Sequence, residues 1–266
     1  MRSQRNSREP VCPWWPRCPF RPPWQHPSQI GLASRSSEEP AARTRTFIVP
    51  ESELVAPQRI LGVLLAGGQN RRYGSNKALE TIGGISLIDR GLRVLDEVCT
   101  DVVIVANEPD PYHRTGRHIR PDSRPGTGVL GGILTALHWA TETGHDGALI
   151  LACDMPFVAP RLLAELVLRA RRDGISIAES GGPRGMEPLC AVYGVGCVPS
   201  IEQALDRGER AVVSFFADVQ VCRLDRIRVE EFGRPERMFF NMNRPEERKL
   251  AEEFARSSTD RSGSSE

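Results

Sequence analysis

No apolar run in this 266-residue chain approaches the roughly 20 residues that a membrane-spanning helix needs. The longest, Gly147 to Cys153, is stopped by Asp154 and reads as a buried strand. Neither sign of charge dominates: the formal net charge is +1, so nothing overall draws the chain to nucleic acid or to anionic lipid. Seven cysteines lie far apart without a Cys-x-x-Cys pair. That excludes the paired spacing of a zinc site or a disulfide framework, and points to small core thiols in a reducing cytoplasm. A secretory signal would need an apolar core of about 7–15 residues, and the first residues contain none. No Ser-His-Asp set or other covalent nucleophile is evident, and five scattered histidines read as surface or packing residues.

What is present has ordinary proportions, 39% hydrophobic and 26% charged. The length suits one large α/β domain or two small ones. Ten of the 21 prolines and three of the four tryptophans precede Arg59. Between Cys12 and Pro27 proline recurs too often for a hydrogen-bonded ladder, and no helical or strand period can be read. Residues 1–58 are therefore expected to form a disordered Pro/Arg-rich extension, or to follow from a start codon placed too early, with a regulatory or partner-binding arm as the alternative. The domain is read as 59–256, with a disordered Ser- and Asp-rich tail over 257–266.

Within the domain, apolar runs alternate with helical periods. Ile60–Ala66, Val102–Ala106 and Ala148–Cys153 read as buried strands. Helices are predicted over Ser86–Val98, Gly131–Thr143, Leu162–Arg172 after Pro160, Pro199–Asp206 and Pro245–Phe254. Shorter strands are predicted near Ser176–Ala178, Pro188–Tyr193 and Val219–Leu224. Such alternation implies βαβ crossovers and a mostly parallel central sheet, with ligands beyond the C-terminal strand ends. Those ends carry Gly67-Gly68, Asn107 and Asp154. No internal repeat is apparent, and no hexapeptide repeat follows the domain.

Two glycine-rich segments compete. Gly126 to Gly131 fits the G-x-G-x-x-G string of dinucleotide-binding proteins, but Arg120 to Pro125 precede it where a buried strand is required. The segment Leu65 to Lys77 follows directly on the first strand. Gly67, Gly68 and Gly74 let backbone N–H groups approach a ligand, while Arg71, Arg72 and Lys77 supply charge for a triphosphate. It is not a P-loop, since no Gly-x-x-x-x-Gly-Lys-Ser/Thr can be read there.

Asp154 follows a small-apolar run and precedes Met155-Pro156-Phe157. By position alone it is either a turn-capping residue or a cation ligand. A triphosphate cradled by the glycine loop favours the second role, because Mg²⁺ takes hard oxygen ligands from one or two carboxylates plus phosphate.

The loop Leu65 to Lys77 resembles the L-A-G-G-x-S-x-R-M-G-x-x-K signature of small nucleotidyltransferases. Within them the chain is similar to the molybdenum cofactor guanylyltransferases over roughly Arg59 to Phe254. Supporting segments are Gly131-Gly132-Ile133, Ala152 to Phe157, Glu187-Pro188-Leu189, Leu205 to Val212 and Phe240 to Glu247. The resemblance implies a single Rossmann-like domain of the GT-A type, with helices on both faces of the sheet. It implies transfer of GMP from GTP onto the terminal phosphate of molybdopterin-bound molybdenum, with Mg²⁺ as cofactor. By matching position, Leu65, Ala66, Gly67 and Gly68 would contact the nucleotide. Lys77 and Arg72 would act on the phosphates, Asn107 and Asp122 would hold the guanosine, and Asp154 would bind Mg²⁺. Asn241 and Asn243 would lie near the pterin acceptor. Molybdoenzyme maturation proteins are the partners it suggests, neither nucleic acid nor membrane is expected, and a monomer is favoured.

Three positions depart from the family pattern: Tyr73 for Met, Asn70 for Ser, and Val129 where Pro usually precedes Leu-Gly-Gly. Two alternatives stand beside this reading. One is a cytidylyltransferase of the same fold, acting on molybdopterin or a methylerythritol phosphate. The other is a non-catalytic nucleotide-binding or cofactor-chaperone module.

Overall fold

Unbroken apolar composition over Ile60 to Leu65 requires cover on both faces of the strand, and the chain supplies it with helices of opposite placement. The computed structural model describes residues 58–67, 76–181, 185–242 and 246–259, with residues 257–259 described by their backbone alone. All of them belong to one compact unit, Ser52–Glu266. The extension read over 1–58 lies outside the described residues except for Gln58, as do residues 260–266 of the tail.

In chain order the elements are β1 (Ile60–Leu65), β2 (Thr81–Ile82), β3 (Ile85–Ser86), α1 (Leu87–Asp96), β4 (Val102–Val105), β5 (Ile119–Arg120), α2 (Val129–Glu142), β6 (Gly147–Ala152) and α3 (Pro160–Leu168). There follow β7 (Gly174–Glu179), β8 (Met186–Gly194), α4 (Val198–Asp206), β9 (Gln220–Leu224), α5 (Arg226–Glu230), α6 (Pro235–Met238) and α7 (Glu247–Thr259). The main sheet runs β5-β4-β1-β6-β8-β7-β9, and β2 pairs with β3 as a separate hairpin. All ladders of the main sheet are parallel except those of β8, which is antiparallel to both β6 and β7. The mostly parallel sheet expected from the alternation is therefore observed.

Side chains along β1 alternate between two cores, as the period of two demands. Ile60 and Leu64 pack with Ile88, Leu92 and Leu95 of α1 and with Leu162, Leu163 and Leu166 of α3. Leu61, Val63 and Leu65 pack on the other face with Leu130, Ile133, Leu134 and Leu137 of α2 and with Ile201 of α4. Each such side chain, fully buried, contributes about 1.5–3 kcal/mol relative to exposure. No helix among the described residues is long and apolar enough to cross a membrane.

A third, smaller core joins Ile82 and Leu87 to Met242 and Ala251, with Phe157, Phe240 and Ala255 against it. It docks α7 on the β2–β3 hairpin, where Gly83 N–H also donates to Glu252 Oε2 at 3.1 Å. This hairpin, the edge strand β5 and the short helices α5 and α6 have no counterpart in the sequence reading, because elements of two to five residues carry too little periodicity.

Helix ends follow local chemistry. Ser86 caps α1, accepting from Asp89 N–H, and Pro160 opens α3. The period suggested that α3 continues to Arg172, but it stops at Leu168, and Arg172 C=O accepts instead from Gly196 N–H at 2.8 Å. At the C-terminus α7 starts at Glu247 rather than Pro245 and runs to Thr259.

The strand order sets the place of the site. From β1 the chain crosses through α1 to β4 on one side. After β5 it returns through α2, on the opposite face, to β6 on the other side of β1. The reversal falls between β1 and β6, and ligands of such sheets bind at the C-terminal ends of the strands flanking that point.

Candidate active site

The strands flanking the reversal end in Leu65-Ala66-Gly67 and in Ala152-Cys153-Asp154. Cys153 N–H donates to Leu65 C=O at 3.1 Å, so the two chain ends stay together past the last residues of their ladder. Ala66 N–H donates to Val105 C=O at 3.0 Å, which joins the end of β4. Leu65 and Ala66 are buried, whereas Gly67 faces solvent, and a Cβ there would stand 3.9 Å from the backbone of Ala106 and of Asn107.

Lys77 opens a single 3-10 turn, Lys77–Leu79, capped by Asn76, whose Oδ1 accepts from Ala78 N–H. Its ammonium lies 3.2 Å from Asp154 Oδ2, with side-chain exposures of 15% and 26% for the two partners. The other carboxylate oxygen, Asp154 Oδ1, is buried and accepts no hydrogen bond among the described residues. A buried anionic oxygen without a donor is costly, and bound cations are one of the ways proteins satisfy it. Among the described residues no three His, Cys, Asp or Glu side chains converge as a ligand set. A cation held by Asp154 would therefore draw fewer than three ligands of these types from the described residues, and would complete its shell from water and ligand oxygens. That is the habit of Mg²⁺, and it differs from all-protein cages.

Asn107 and Asp122 form a second pair, at the ends of β4 and β5. Asn107 Nδ2 donates to Asp122 Oδ2 at 2.9 Å, and Asp122 N–H donates to Asn107 Oδ1 at 2.8 Å. The next residue is held as well: Ser123 N–H donates to Thr135 Oγ1 of α2 at 2.8 Å. Helix α2 passes close because of Gly132, where a Cβ would stand 3.4 Å from Asp122 Oδ1 and 3.6 Å from Leu65 Cδ2. The competing glycine string meets this helix at its start: Gly128, with φ +70°, precedes Val129, and the strand before it is only the edge pair Ile119–Arg120. Val129 itself is 38% exposed as the first residue of α2.

Asn241 is half-buried and donates through Nδ2 to Phe239 C=O at 3.2 Å. Its neighbour Met242 donates its N–H to Asp154 C=O at 3.1 Å, so the C-terminal segment is tied to the acid's loop. The fold thus brings Leu65, Ala66, Gly67, Lys77, Asn107, Asp122, Asp154 and the segment of Asn241 to one end of the sheet. Gly68, Arg71, Arg72 and Asn243, with the variant positions Asn70 and Tyr73, lie outside the described residues.

Two residues of this region were not singled out by sequence reasoning. Tyr112 sits in a 3-10 turn after β4, and its hydroxyl reaches both Ala66 C=O and Asn76 Oδ1. A tyrosine among Pro109, Asp110 and Pro111 just past a buried strand was the available signal. Asn76 was visible only as part of the loop string.

Among the described residues of the site, none offers a covalent nucleophile. Burial, and then the negative charge of Asp154, push the Cys153 thiol up to about 12, so it stays protonated. The buried histidine, His145, lies just before β6 at the opposite end of the sheet, held between Thr143 Oγ1 at 2.8 Å and Asp101 Oδ2 at 3.1 Å.

A family model described as MobA-like NTP transferase domain matches residues 62–222. A relative named molybdenum cofactor guanylyltransferase, from Desulfosudis oleivorans, is 34% identical over 194 residues, covering 73% of this chain and 94% of its own length. One named probable molybdenum cofactor guanylyltransferase, from Pelotomaculum thermopropionicum, is 34% identical over 184 residues, covering 69% and 87%. Among solved structures, molybdopterin-guanine dinucleotide biosynthesis protein A from Archaeoglobus fulgidus superposes with a TM-score of 0.61 at 24% identity, over 74% of this chain and all of its own. A 4-diphosphocytidyl-2C-methyl-D-erythritol synthase from Anaerococcus prevotii shares the fold at a TM-score of 0.58 and 12% identity, over 76% and 98%. The architecture is therefore common to proteins named for guanylyl and for cytidylyl products, and fold alone does not select the base.

Proposed function

The chain belongs to the MobA-like NTP transferase family, and from that premise we propose that it transfers GMP from GTP to the terminal phosphate of the molybdopterin-bound molybdenum cofactor. The observation that carries this reading is the state of Asp154. One of its oxygens is held by Lys77 at 3.2 Å, and the other is buried without a donor among the described residues, at the strand end where ligands of such sheets bind.

In the reaction, an oxygen of the pterin phosphate attacks the α-phosphorus in line. The bond from that phosphorus to the oxygen bridging the β-phosphate breaks, and this oxygen leaves with the electron pair as pyrophosphate. A phosphate monoester has a second pKa of about 6, so the attacking group is already ionised and requires no general base. This agrees with a site built from charge and positioning, without histidine.

Leu65, Ala66, Gly67 and Gly68 are assigned to the nucleotide, and Asn107 with Asp122 to the guanosine portion. Each member of that pair fixes the other, leaving Asp122 Oδ1 and the second amide proton of Asn107 for a base or ribose. Lys77 and Arg72 are assigned to the phosphates. Asp154 is assigned to Mg²⁺, which when bound would offset the charge of the α-phosphate and so favour approach of an anionic acceptor. Asn241 and Asn243 are assigned to the acceptor by the resemblance, and the bond between Met242 and Asp154 ties the segment of Asn241 to the acid's loop. All five described cysteines are free thiols, which supports a cytoplasmic setting. A monomer remains the expectation, with molybdoenzyme maturation proteins as receivers of the product.

The test is pyrophosphate release by the full chain with Mg²⁺ and molybdopterin-bound molybdenum, comparing GTP with CTP. Release with GTP alone is expected. Release with CTP alone would move the protein to the cytidylyl branch. Binding of nucleotide with no release would favour the non-catalytic module.

A further inference from the structure

We propose that Tyr112 is a positioning residue for the triphosphate, its phenol fixing the turn of Lys77 against the end of β1. The inference rests on the nucleotidyltransferase reading above and adds to it a residue that neither touches substrate nor appears among the assigned site groups.

Tyr112 is 2% exposed. Its hydroxyl lies 2.9 Å from Ala66 C=O and 3.1 Å from Asn76 Oδ1. The amide of Asn76 has a determined orientation, because the same Oδ1 accepts from Ala78 N–H at 3.1 Å. Both neighbours of the phenol are thus acceptors, and its single proton lies between them. Burial raises the phenol above its ordinary pKa, so that proton is retained across the working range.

Ala66 and Asn76 stand on either side of segment 67–75, which carries Gly67, Gly68, Arg71 and Arg72. A single buried hydroxyl therefore sets the distance between the strand end assigned to the nucleotide and the cap of the turn that begins with Lys77. The tyrosine is itself held: its N–H donates to Pro109 C=O at 2.9 Å, and Thr115 Oγ1 donates to its C=O at 2.7 Å. Gly116 closes this turn in the left-handed region, with φ +68°. Its place directly after β4 and Asn107 links the phosphate side of the site to the base side through one rigid turn.

Removing the hydroxyl leaves the ring in the core and the turn intact, while Asn76 loses its tie to β1. Lys77 then starts from a backbone free to shift, and binding geometry of this kind is sensitive to displacements of about 1 Å. The loss should fall on the phosphates beyond the first, which a lysine reaching across the site would hold.

The experiment measures the affinities of the full chain for GTP and for GMP in Mg²⁺, by calorimetry or displacement, for wild type, Tyr112→Phe and Asn76→Ala. Tyr112→Phe is expected to lower the ratio of GTP to GMP affinity by about three- to tenfold, the worth of one buried hydrogen bond. Asn76→Ala, which removes the other half of the contact together with the cap on Ala78 N–H, is expected to lower it at least as much. An unchanged ratio in both variants overturns the inference, even if both lose thermal stability, because a purely structural role would weaken the two nucleotides alike. A wild type that binds no GTP overturns the nucleotidyltransferase reading and this inference with it. Wild-type-like discrimination in both variants of a protein that binds GTP overturns the inference alone and leaves the nucleotidyltransferase reading standing.

Discussion

Lys77 and Asp154 stand 77 positions apart in the chain and meet at 3.2 Å, with the second carboxylate oxygen of Asp154 buried and lacking a donor among the described residues. The contact joins a turn that follows the glycine loop to a loop that follows β6. Neither segment approaches the other in sequence. They meet because β1 and β6 are adjacent parallel strands whose C-terminal ends lie side by side.

Asp154→Asn keeps the size of the side chain but removes its charge, so the Lys77 contact weakens and a cation loses its carboxylate. Turnover is expected to fall about a hundredfold or more, in the range seen when one electrostatic group is deleted from a catalytic site. Thermal unfolding should change little, and the Mg²⁺ concentration giving half-maximal residual rate should rise. Wild-type turnover in the variant at ordinary Mg²⁺ would remove Asp154 from the mechanism.

Asp122→Ala takes the acceptor from Asn107 Nδ2, leaving the amide free to turn. Because the pair is exposed, stability is expected to change by no more than about 0.5 kcal/mol. Preference for GTP over CTP should fall, by about tenfold or more, since recognition by a fixed polar pair is lost when one member goes. If competition between the two nucleotides gives the same preference in the variant, the base is read elsewhere.

Ala251→Asp places a carboxyl in the small core between α7 and the β2–β3 hairpin, where Ala251 is fully buried. Such burial costs several kcal/mol without a partner. The same core holds Met242, whose N–H reaches Asp154 C=O. A lowered melting temperature is therefore expected together with reduced turnover below that temperature. Loss of stability with full activity in the folded fraction would show that α7 supports the fold without supporting the acid.

Three buried thiols and the partly buried Cys153 make a pH prediction. Burial pushes Cys99, Cys153 and Cys197 up to about 12, and Cys190 higher still. A solvated thiol titrates at about 8.5. Above that value the unfolded chain releases protons that the folded chain keeps, so the unfolded state binds fewer protons and stability falls as pH rises. The contribution is intact below about pH 8 and declines toward the folded values near 12. Melting temperatures between pH 7 and 10.5 should fall, and replacing Cys190 with Ala should shallow the slope. A flat profile across that interval would contradict the burial of these groups.

The strands at the centre of the sheet and the helices that cover them were legible along the chain. Their periodicity is a local property: a strand buried on both faces must be apolar throughout, and a helix covering it must show a stripe. Gly67, Lys77, Asn107 and Asp154 could be picked out for a related reason, since each lies just past an apolar run or inside a glycine-rich string, whereas Asp122 was singled out only by the family resemblance. Residues 68–75, which carry Arg72, and Asn243 remain readings of the sequence alone.

What the sequence could not decide was which of these residues face one another. The strand order placed β6 beside β1 and so gave Lys77 its partner, and the edge strand β5 gave Asn107 its own. Tyr112 acquires a role only when Ala66 and Asn76 are both within reach of one hydroxyl. Its hydrogen bonds span 46 and 36 positions, and no local pattern encodes a contact at that separation. The same holds for the core under α7, where Ile82, Met242 and Ala251 come from three separate parts of the chain. Sequence periodicity states which face of an element must be covered, and only packing in three dimensions determines what covers it.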